Sequence, residues 1–319
     1  MNGATIETMT SRPAVGLPQA LLYYEHGPVW RECLELLGAA VVGSGPTSRA
    51  IVDRGVAAAI DEACLPVKVA YGHCLALAER VDALFVPRVV SIERKAYSCP
   101  KLLGLPDMVR LALPRRITVL SPTIDLSRGP RRLAPALAAT ARWIGADRAA
   151  LRRAARCLEA GLSPAEPAGS SASAGSGKVK IGVLGHSYNV LDDGLNLGLR
   201  RRLAALGAEV VTGEDYAAAD LARAVDRSLT KPLFWSLGRR LIGAARLMAE
   251  DPALAGIVAV ASFGCGPDSM VVDLAMRLVG RLRPELPFME LTLDEHTGEA
   301  GLVTRLEAFY DLAYRRLVG

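Results

Sequence analysis

No two cysteines in this chain are separated by two residues, which excludes the paired-ligand knuckle of a zinc ribbon and the thioredoxin-type redox motif. No Gly-rich run ends in Gly-Lys-Ser or Gly-Lys-Thr, so a Walker-type nucleotide loop is missing too. No apolar stretch reaches the roughly 18–20 residues that span a bilayer, because Arg, Asp or Glu interrupts each candidate. Aromatic residues make up only 5% and are not interleaved with the arginines. A stacking platform for single-stranded nucleic acid is therefore unsupported. Met1 to Pro13 is polar and lacks the basic-then-apolar secretory pattern. The expectation is a soluble, cytoplasmic protein with neither a membrane nor a nucleic-acid partner.

What is present is apolar mass, arginine and six cysteines. Hydrophobic residues make up 51% of 319, enough for two ordinary cores, and the net charge is +5. The basic excess lies between Arg110 and Arg156, with pairs at Arg115 and Arg116, Arg131 and Arg132, and Arg152 and Arg153. Such pairs fit either a phosphate-bearing ligand or a solvated helix face. Ser163 to Gly177 is small, polar and Pro-containing, a composition that builds no core. It predicts an N-terminal lobe over 1–162, a flexible linker over 163–177 and a C-terminal lobe over 178–319.

Short apolar runs alternate with longer helical patterns through both lobes. Strands are predicted at Ala20–Tyr24, Ala39–Gly43, Ala83–Pro87 and Ile117–Ser121, then at Val179–Gly185, Glu209–Thr212, Gly256–Ser262 and Phe288–Leu293. Helices are predicted at Val29–Leu37, after a Thr47 cap, at Pro66–Arg80, Pro100–Leu111 and Leu133–Leu158. In the second lobe they fall at Gly194–Leu206, Pro267–Arg281 and Gly301–Leu317. This rhythm predicts an α/β fold of two Rossmann-like or flavodoxin-like lobes, each with a parallel sheet covered on both faces and a cleft between them.

Three cysteines share a setting that the others lack. Cys64, Cys99 and Cys265 each have a proline within two residues downstream and each precedes a predicted helix. Proline suits the first helical turn, where its missing N–H needs no partner. A thiol at a helix start meets free N–H groups and a dipole that favour the thiolate. If both sheets turn their carboxyl edges to the cleft, the three sulfurs converge there. Widely spaced thiolates fit an iron–sulfur cluster better than structural zinc; the other reading is three inert helix-start cysteines. Cys33, Cys74 and Cys157 fall inside helical runs and read as small buried hydrophobes. Cys74 lies ten residues beyond Cys64, roughly 15 Å along a helix, and stays open only as a ligand of a larger or second cluster.

Five phrases now become informative together. They are Asp61-Glu-Ala-Cys-Leu-Pro-Val-Lys68, Tyr97-Ser-Cys-Pro-Lys101 with Leu105-Pro-Asp107, Gly185-His-Ser-Tyr-Asn189, Phe263-Gly-Cys-Gly-Pro-Asp-Ser269 and Leu293-Asp-Glu-His-Thr-Gly-Glu-Ala-Gly301. In this order they closely resemble the activase-related proteins of the 2-hydroxyacyl-CoA dehydratase component family, relatives of benzoyl-CoA reductase and of double-cubane cluster proteins. The resemblance runs from about Gly16 to the end, linker excepted.

That resemblance implies two Rossmann-type lobes holding a 4Fe–4S cluster on three cysteines, with the fourth position open to water or substrate. The ligand role maps onto Cys64, Cys99 and Cys265. It also implies an ATP-dependent activase, an iron–sulfur homodimer, as electron donor, and a sister dehydratase-like subunit or a homodimer as assembly. A larger double-cubane cluster is the variant form. His296, in the segment after the Phe288–Leu293 strand, is the candidate proton donor, with His186 in the equivalent place of its own strand. Glu62 and Lys68 flank Cys64 as support or as a surface ion pair, and Asp268 and Ser269 are candidate caps of the helix after Pro267. Two functions follow: a low-potential reductase or radical dehydratase component, or a cluster carrier, scaffold or electron-transfer subunit without a substrate of its own. A third reading makes it a regulatory protein whose cysteines hold zinc or nothing.

Overall fold

The computed structural model describes residues 12–129, 133–162 and 179–318. The expected linker and the Arg131, Arg132 pair lie outside the described residues.

The first lobe opens with strand β1 (Ala14–Leu17), helix α1 (Tyr23–Leu36) and strand β2 (Ala40–Gly43). Helices α2 (Arg49–Ala58) and α3 (Leu65–Leu77) then lead to β3 (Ala83–Phe85) and β4 (Arg88–Ser91). Helix α4 (Pro100–Ala112), strands β5 (Thr118–Leu120) and β6 (Thr123–Asp125), and helices α5 (Leu133–Ile144) and α6 (Arg148–Leu162) complete it. The second lobe runs β7 (Val179–Gly185), α7 (Ser187–Leu191), α8 (Leu199–Ala205), β8 (Ala208–Thr212), α9 (Ala218–Ser228) and α10 (Ser236–Glu250). It ends with β9 (Leu254–Ser262), α11 (Gly266–Leu282), β10 (Phe288–Leu293) and α12 (Glu299–Val318).

Each lobe has a four-stranded parallel sheet, in the orders β2-β1-β3-β5 and β8-β7-β9-β10. Counted within its own lobe, each sheet reads 2-1-3-4, so the strand order reverses between the first and third strands. That reversal opens a crevice at the carboxyl edge, beside β1 and β3 in one lobe and β7 and β9 in the other. β9 is buried at all nine positions, as a central strand covered on both faces must be. β4 and β6 form a separate two-stranded parallel ladder.

One apolar core runs through both lobes, from Val15, Leu17 and Leu84 to Ile181, Val183, Leu291 and Leu306. A second lies on the other face of the second sheet, between β9 and helices α9, α10 and α11, around Ile257, Met248 and Val271.

Several local expectations are corrected. The strand expected at Ala20–Tyr24 lies earlier, at Ala14–Leu17; Leu21 takes a left-handed backbone (φ 53°) and α1 has begun by Tyr23. The single helix expected over Leu133–Leu158 is two helices, broken at Gly145 with φ 87°. The helix expected from Gly194 starts only at Leu199, after a turn in which Leu197 and Gly198 both have positive φ. Ser48, not Thr47, caps α2, with its side chain accepting the Ile51 N–H.

Candidate functional site

Cys64, Cys99 and Cys265 are the N-cap residues of α3, α4 and α11, each with extended backbone and a proline in the first helical turn. In each case the N–H of the third helical residue (Val67, Leu102 or Asp268) faces the sulfur and favours its charged form, without closing to a full hydrogen bond. Three helix starts thus aim partial positive charge at three thiols.

Those helix starts meet. Cys64 and Cys265 come within interaction range across the two lobes, and Cys99 lies close enough to feel the Cys64 charge. The interaction with Cys265, helped by Lys101, draws Cys64 down to about 7 against the opposing effect of burial. The same interaction and burial push Cys265 up, and burial raises Cys99. Lys101 Nζ donates to the carbonyls of Glu62 at 2.7 Å and Gly264 at 2.9 Å, tying together the loops that carry Cys64 and Cys265. Gly264 has φ 75°, a conformation that suits glycine, so the turn into α11 depends on it. Tyr188, from α7, is buried, and burial first, then the charge of Asp268 and those of Cys265, Cys99 and Cys64, hold its pKa well up.

Beside the thiols is a polar network that the sequence pointed to only in pieces. His186 caps α7 at the end of β7, and its Nε2 is 2.8 Å from Asp268 Oδ1. Asp268 is not a cap for α11. It is 1% exposed, and its Oδ2 accepts the Ser262 N–H at 3.2 Å and Asn189 Nδ2 at 3.4 Å. Ser262 Oγ in turn donates to Asn189 Oδ1 at 2.8 Å. Donor atoms of His186, Cys265 and Asp268 all lie within 4.8 Å of one another. Burial opposes charge on both members of the pair. Each offsets it for the other, so His186 is raised and Asp268 lowered from ordinary values.

His296 stands on the exposed rim after β10, its backbone N–H donating to Asp294 Oδ1 at 2.9 Å. The histidine beside the thiols is instead His186, which feels the Cys64 charge and has a ring nitrogen within 4.8 Å of the Cys265 sulfur. Lys68, read as support or a surface ion pair, is 6% exposed and pairs with Glu295 of the other lobe. Ser269 bonds the Gly266 carbonyl at 2.7 Å. Cys33 and Cys74 are buried and pushed up to about 12 by burial, and Cys157 to about 11. Cys74 lines an apolar hollow with Trp30, Phe85 and Leu105 rather than the thiol cluster. Another concavity, walled by Glu25, His186, Ser187, Glu214 and Arg240, lies at the carboxyl edge of the second sheet.

Sequence reasoning missed Tyr188 and the buried pairing of His186 with Asp268. The signal for Tyr188 was the phrase from Gly185 to Asn189, where a strand ends and a helix turn begins. The pairing of His186 with Asp268 spans 82 positions (268 minus 186) and needed the fold.

Helix-start cysteines are the donor type a thiolate-held metal group takes, and beside them His186, Cys265 and Asp268 offer donor atoms within 4.8 Å of one another. No described helix is long and apolar enough to cross a membrane. No curated protein matches the chain. Residues 14–215, which include Cys64, Cys99 and Tyr188 but not Cys265, match the family described as CoA enzyme activase uncharacterised domain (DUF2229). That match spans more than half of the 319 residues, and the chain belongs to this family.

Proposed function

We propose that this protein is an iron–sulfur redox protein, with Cys64 and Cys99 of one lobe and Cys265 of the other as cysteine ligands of a 4Fe–4S cluster. The supporting observation is that three helix-start cysteines, from both lobes, lie within electrostatic reach of one another. A bound cluster supplies one-electron transfer at low potential. Around it, the N–H groups of Val67, Leu102 and Asp268 stabilise thiolate charge, and Lys101 holds the two loops in register. Tyr188 and the His186–Asp268 pair keep that side of the site dry and polar.

The electron source in this reading is an ATP-dependent activase, in keeping with the family's description. The protein then works as a reductase or as a dehydratase-like lyase component on a small molecule or thioester, alone as a homodimer or with a sister subunit. A second reading is an electron-transfer or carrier subunit without its own substrate.

Anaerobic purification with iron and acid-labile sulfide analysis, and EPR before and after dithionite, tests the proposal. About four irons and four sulfides per chain with a signal on reduction is the expected result. A content near eight moves the reading to a double cubane and returns Cys74 to the ligand set. Cys64→Ser with Cys265→Ser should abolish iron binding while sparing the fold, and normal iron retention would remove the two-lobe site.

A further inference from the structure

The concavity at the carboxyl edge of the second sheet holds chemistry that the thiol site does not use. It opens just past the ends of the paired strands β7 and β8, where Gly185 and Gly213 line it. Its volume, mouth included, is about 300 Å³. Leu237 and Leu241 of α10 give it an apolar wall, and Glu25, Ser187, Glu214 and Arg240 bring polar groups.

Most of those polar groups are already engaged. Glu25 accepts from Ser187 Oγ on one oxygen and from Arg240 on the other. Arg240 also donates to Glu214 Oε2 at 2.9 Å. Glu214 Oε1 has no hydrogen-bond partner among the described residues, and its side chain is one third exposed. An ion bridge between the lobes explains Glu25 and Arg240. It does not explain a half-used carboxylate, held in place by a guanidinium, on the wall of an open hollow.

Charge and position narrow the ligand. His186, which also lines the hollow, is paired with Asp268, and Asp215 is occupied by Thr212. Glu25 and Glu214 then outnumber Arg240, so a phosphate or carboxylate is repelled. Neutral hydroxyls fit: they donate to Glu214 Oε1, a remaining Arg240 N–H meets a hydroxyl oxygen, and a C–H face lies against Leu237 and Leu241. In Rossmann units a carboxylate past the second strand takes ribose hydroxyls. Glu214 follows β8, the second strand of its lobe. The rest of a dinucleotide site is missing, because the turn from Gly185 to Asn189 has a single glycine and α7 is only five residues long.

We propose that this hollow binds the vicinal hydroxyls of a ribosyl group, with Glu214 as acceptor and Arg240 holding it in place. The ligand class is an unphosphorylated ribose face, as in a nucleoside; a 3′-phosphorylated ribose is rejected by Glu25 and Glu214. The site lies apart from the three cysteines and does not depend on their holding iron.

Equilibrium dialysis of the full chain with tritiated adenosine, alone and against competitors, tests this. The expected result is saturable binding that is about tenfold weaker for 2′-deoxyadenosine, which lacks one donor to the charged acceptor. Adenosine 3′-monophosphate should compete no better than 2′-deoxyadenosine. Glu214→Gln can still accept from Arg240 and should weaken adenosine about tenfold. Gly213→Ala is the second variant. Its φ is not positive, and a Cβ there meets only Ala244 Cβ, at 3.4 Å, so it narrows the hollow without straining the fold. It should weaken binding as well. Equal affinity for adenosine and 2′-deoxyadenosine overturns the diol site. Binding unchanged in both variants places the ligand elsewhere and overturns it equally, as does wild-type protein with no saturable binding up to millimolar adenosine. The assay reads no iron, so each of these results leaves the iron–sulfur reading where it stands.

Discussion

At the scale of single residues, the most constrained group outside the thiol site is His73. Gln19 N–H donates to Ser44 Oγ at 2.9 Å, and Ser44 Oγ lies 2.7 Å from His73 Nδ1. On the other side, His73 Nε2 is 2.9 Å from Thr47 Oγ1, which donates to Asp192 Oδ2 at 2.6 Å. Thr47 gives its hydrogen to Asp192, so Nε2–H donates to Thr47, and Ser44 has a hydrogen to give to an unprotonated Nδ1. A neutral imidazole therefore satisfies the whole chain. Burial agrees, holding His73 down to about 4. Between pH 6.5 and about 4 the unfolded chain binds a proton that the folded chain refuses, so stability is full above that window and falls as pH drops through it. A shift of this size is worth roughly 3 kcal/mol. Asp192 acts in the opposite sense: burial raises its pKa, so acidification relieves the cost of its buried charge. His73→Gln should flatten the fall in melting temperature between pH 7 and pH 5 relative to wild type; an equally steep fall would show that His73 is not its source. None of this was readable in the sequence, where Thr47 looked like a helix cap and His73 like one residue of a helix. The thiols were readable because the signal is local: a proline one or two residues past a cysteine marks a helix start wherever the helix packs.

At the scale of elements, the hairpin of α2 and α3 sets where Cys64 stands. The two helices touch backbone to backbone: a Cβ on Gly55 would lie 1.9 Å from the Lys68 carbonyl oxygen, and one on Gly72 would lie 1.9 Å from the Ile51 carbonyl oxygen. Alanine in mid-helix gains about 1 kcal/mol over glycine, while forcing two packed backbones apart costs about 3 kcal/mol. The clash prevails, and Gly72→Ala should lower the melting temperature. Gly280, in α11, is the counterpart. A Cβ there meets nothing within 4 Å, so Gly280→Ala should be neutral or slightly stabilising. If thermal melts give both variants the same shift, close approach is not what selects glycine in α3. Elements with strong periodicity or a proline at the start were legible, as α4 and β7 show. Elements defined by one backbone torsion were not. The break at Gly145 and the turn at Leu197 and Gly198 interrupt runs that are helical in composition, and Arg88–Ser91 and Thr123–Asp125 are too short to register as strands.

At the scale of the whole molecule, the alternation of strands and helices foretold two α/β lobes, but what joins them is distant in sequence. Besides the Thr47–Asp192 bond, Lys68 pairs with Glu295, and Glu25 of α1 takes both Ser187 Oγ, at 2.6 Å, and Arg240 of α10 from the second lobe. Arg240 also binds Glu214 at 2.9 Å. The backbone adds a bridge: Tyr97 N–H donates to the Phe234 carbonyl at 2.9 Å, and Ser236 N–H returns to the Tyr97 carbonyl at 3.0 Å. The apolar core is continuous through both lobes, so they should unfold together in one transition. The Glu25 pair tests how much of that unity is ionic. Burial by itself would raise the Glu25 carboxyl, yet Arg240, His26 and Ser187 hold it below its ordinary value. The side chain is only 4% exposed, so removing Arg240 strands a buried negative charge. Arg240 itself is about one third exposed, which places the loss near the low end for buried pairs, about 3 kcal/mol. Arg240→Met should therefore lower the melting temperature markedly, and Glu25→Gln on that background should restore much of it, because the amide can still accept from Ser187. Additive losses in this double-mutant cycle would mean that the two side chains are neighbours without coupling. The Glu25–Arg240 pair would then add nothing to the hold between the lobes, which would rest on the shared core, the Lys68–Glu295 pair and the bridges at Thr47, Tyr97 and Lys101.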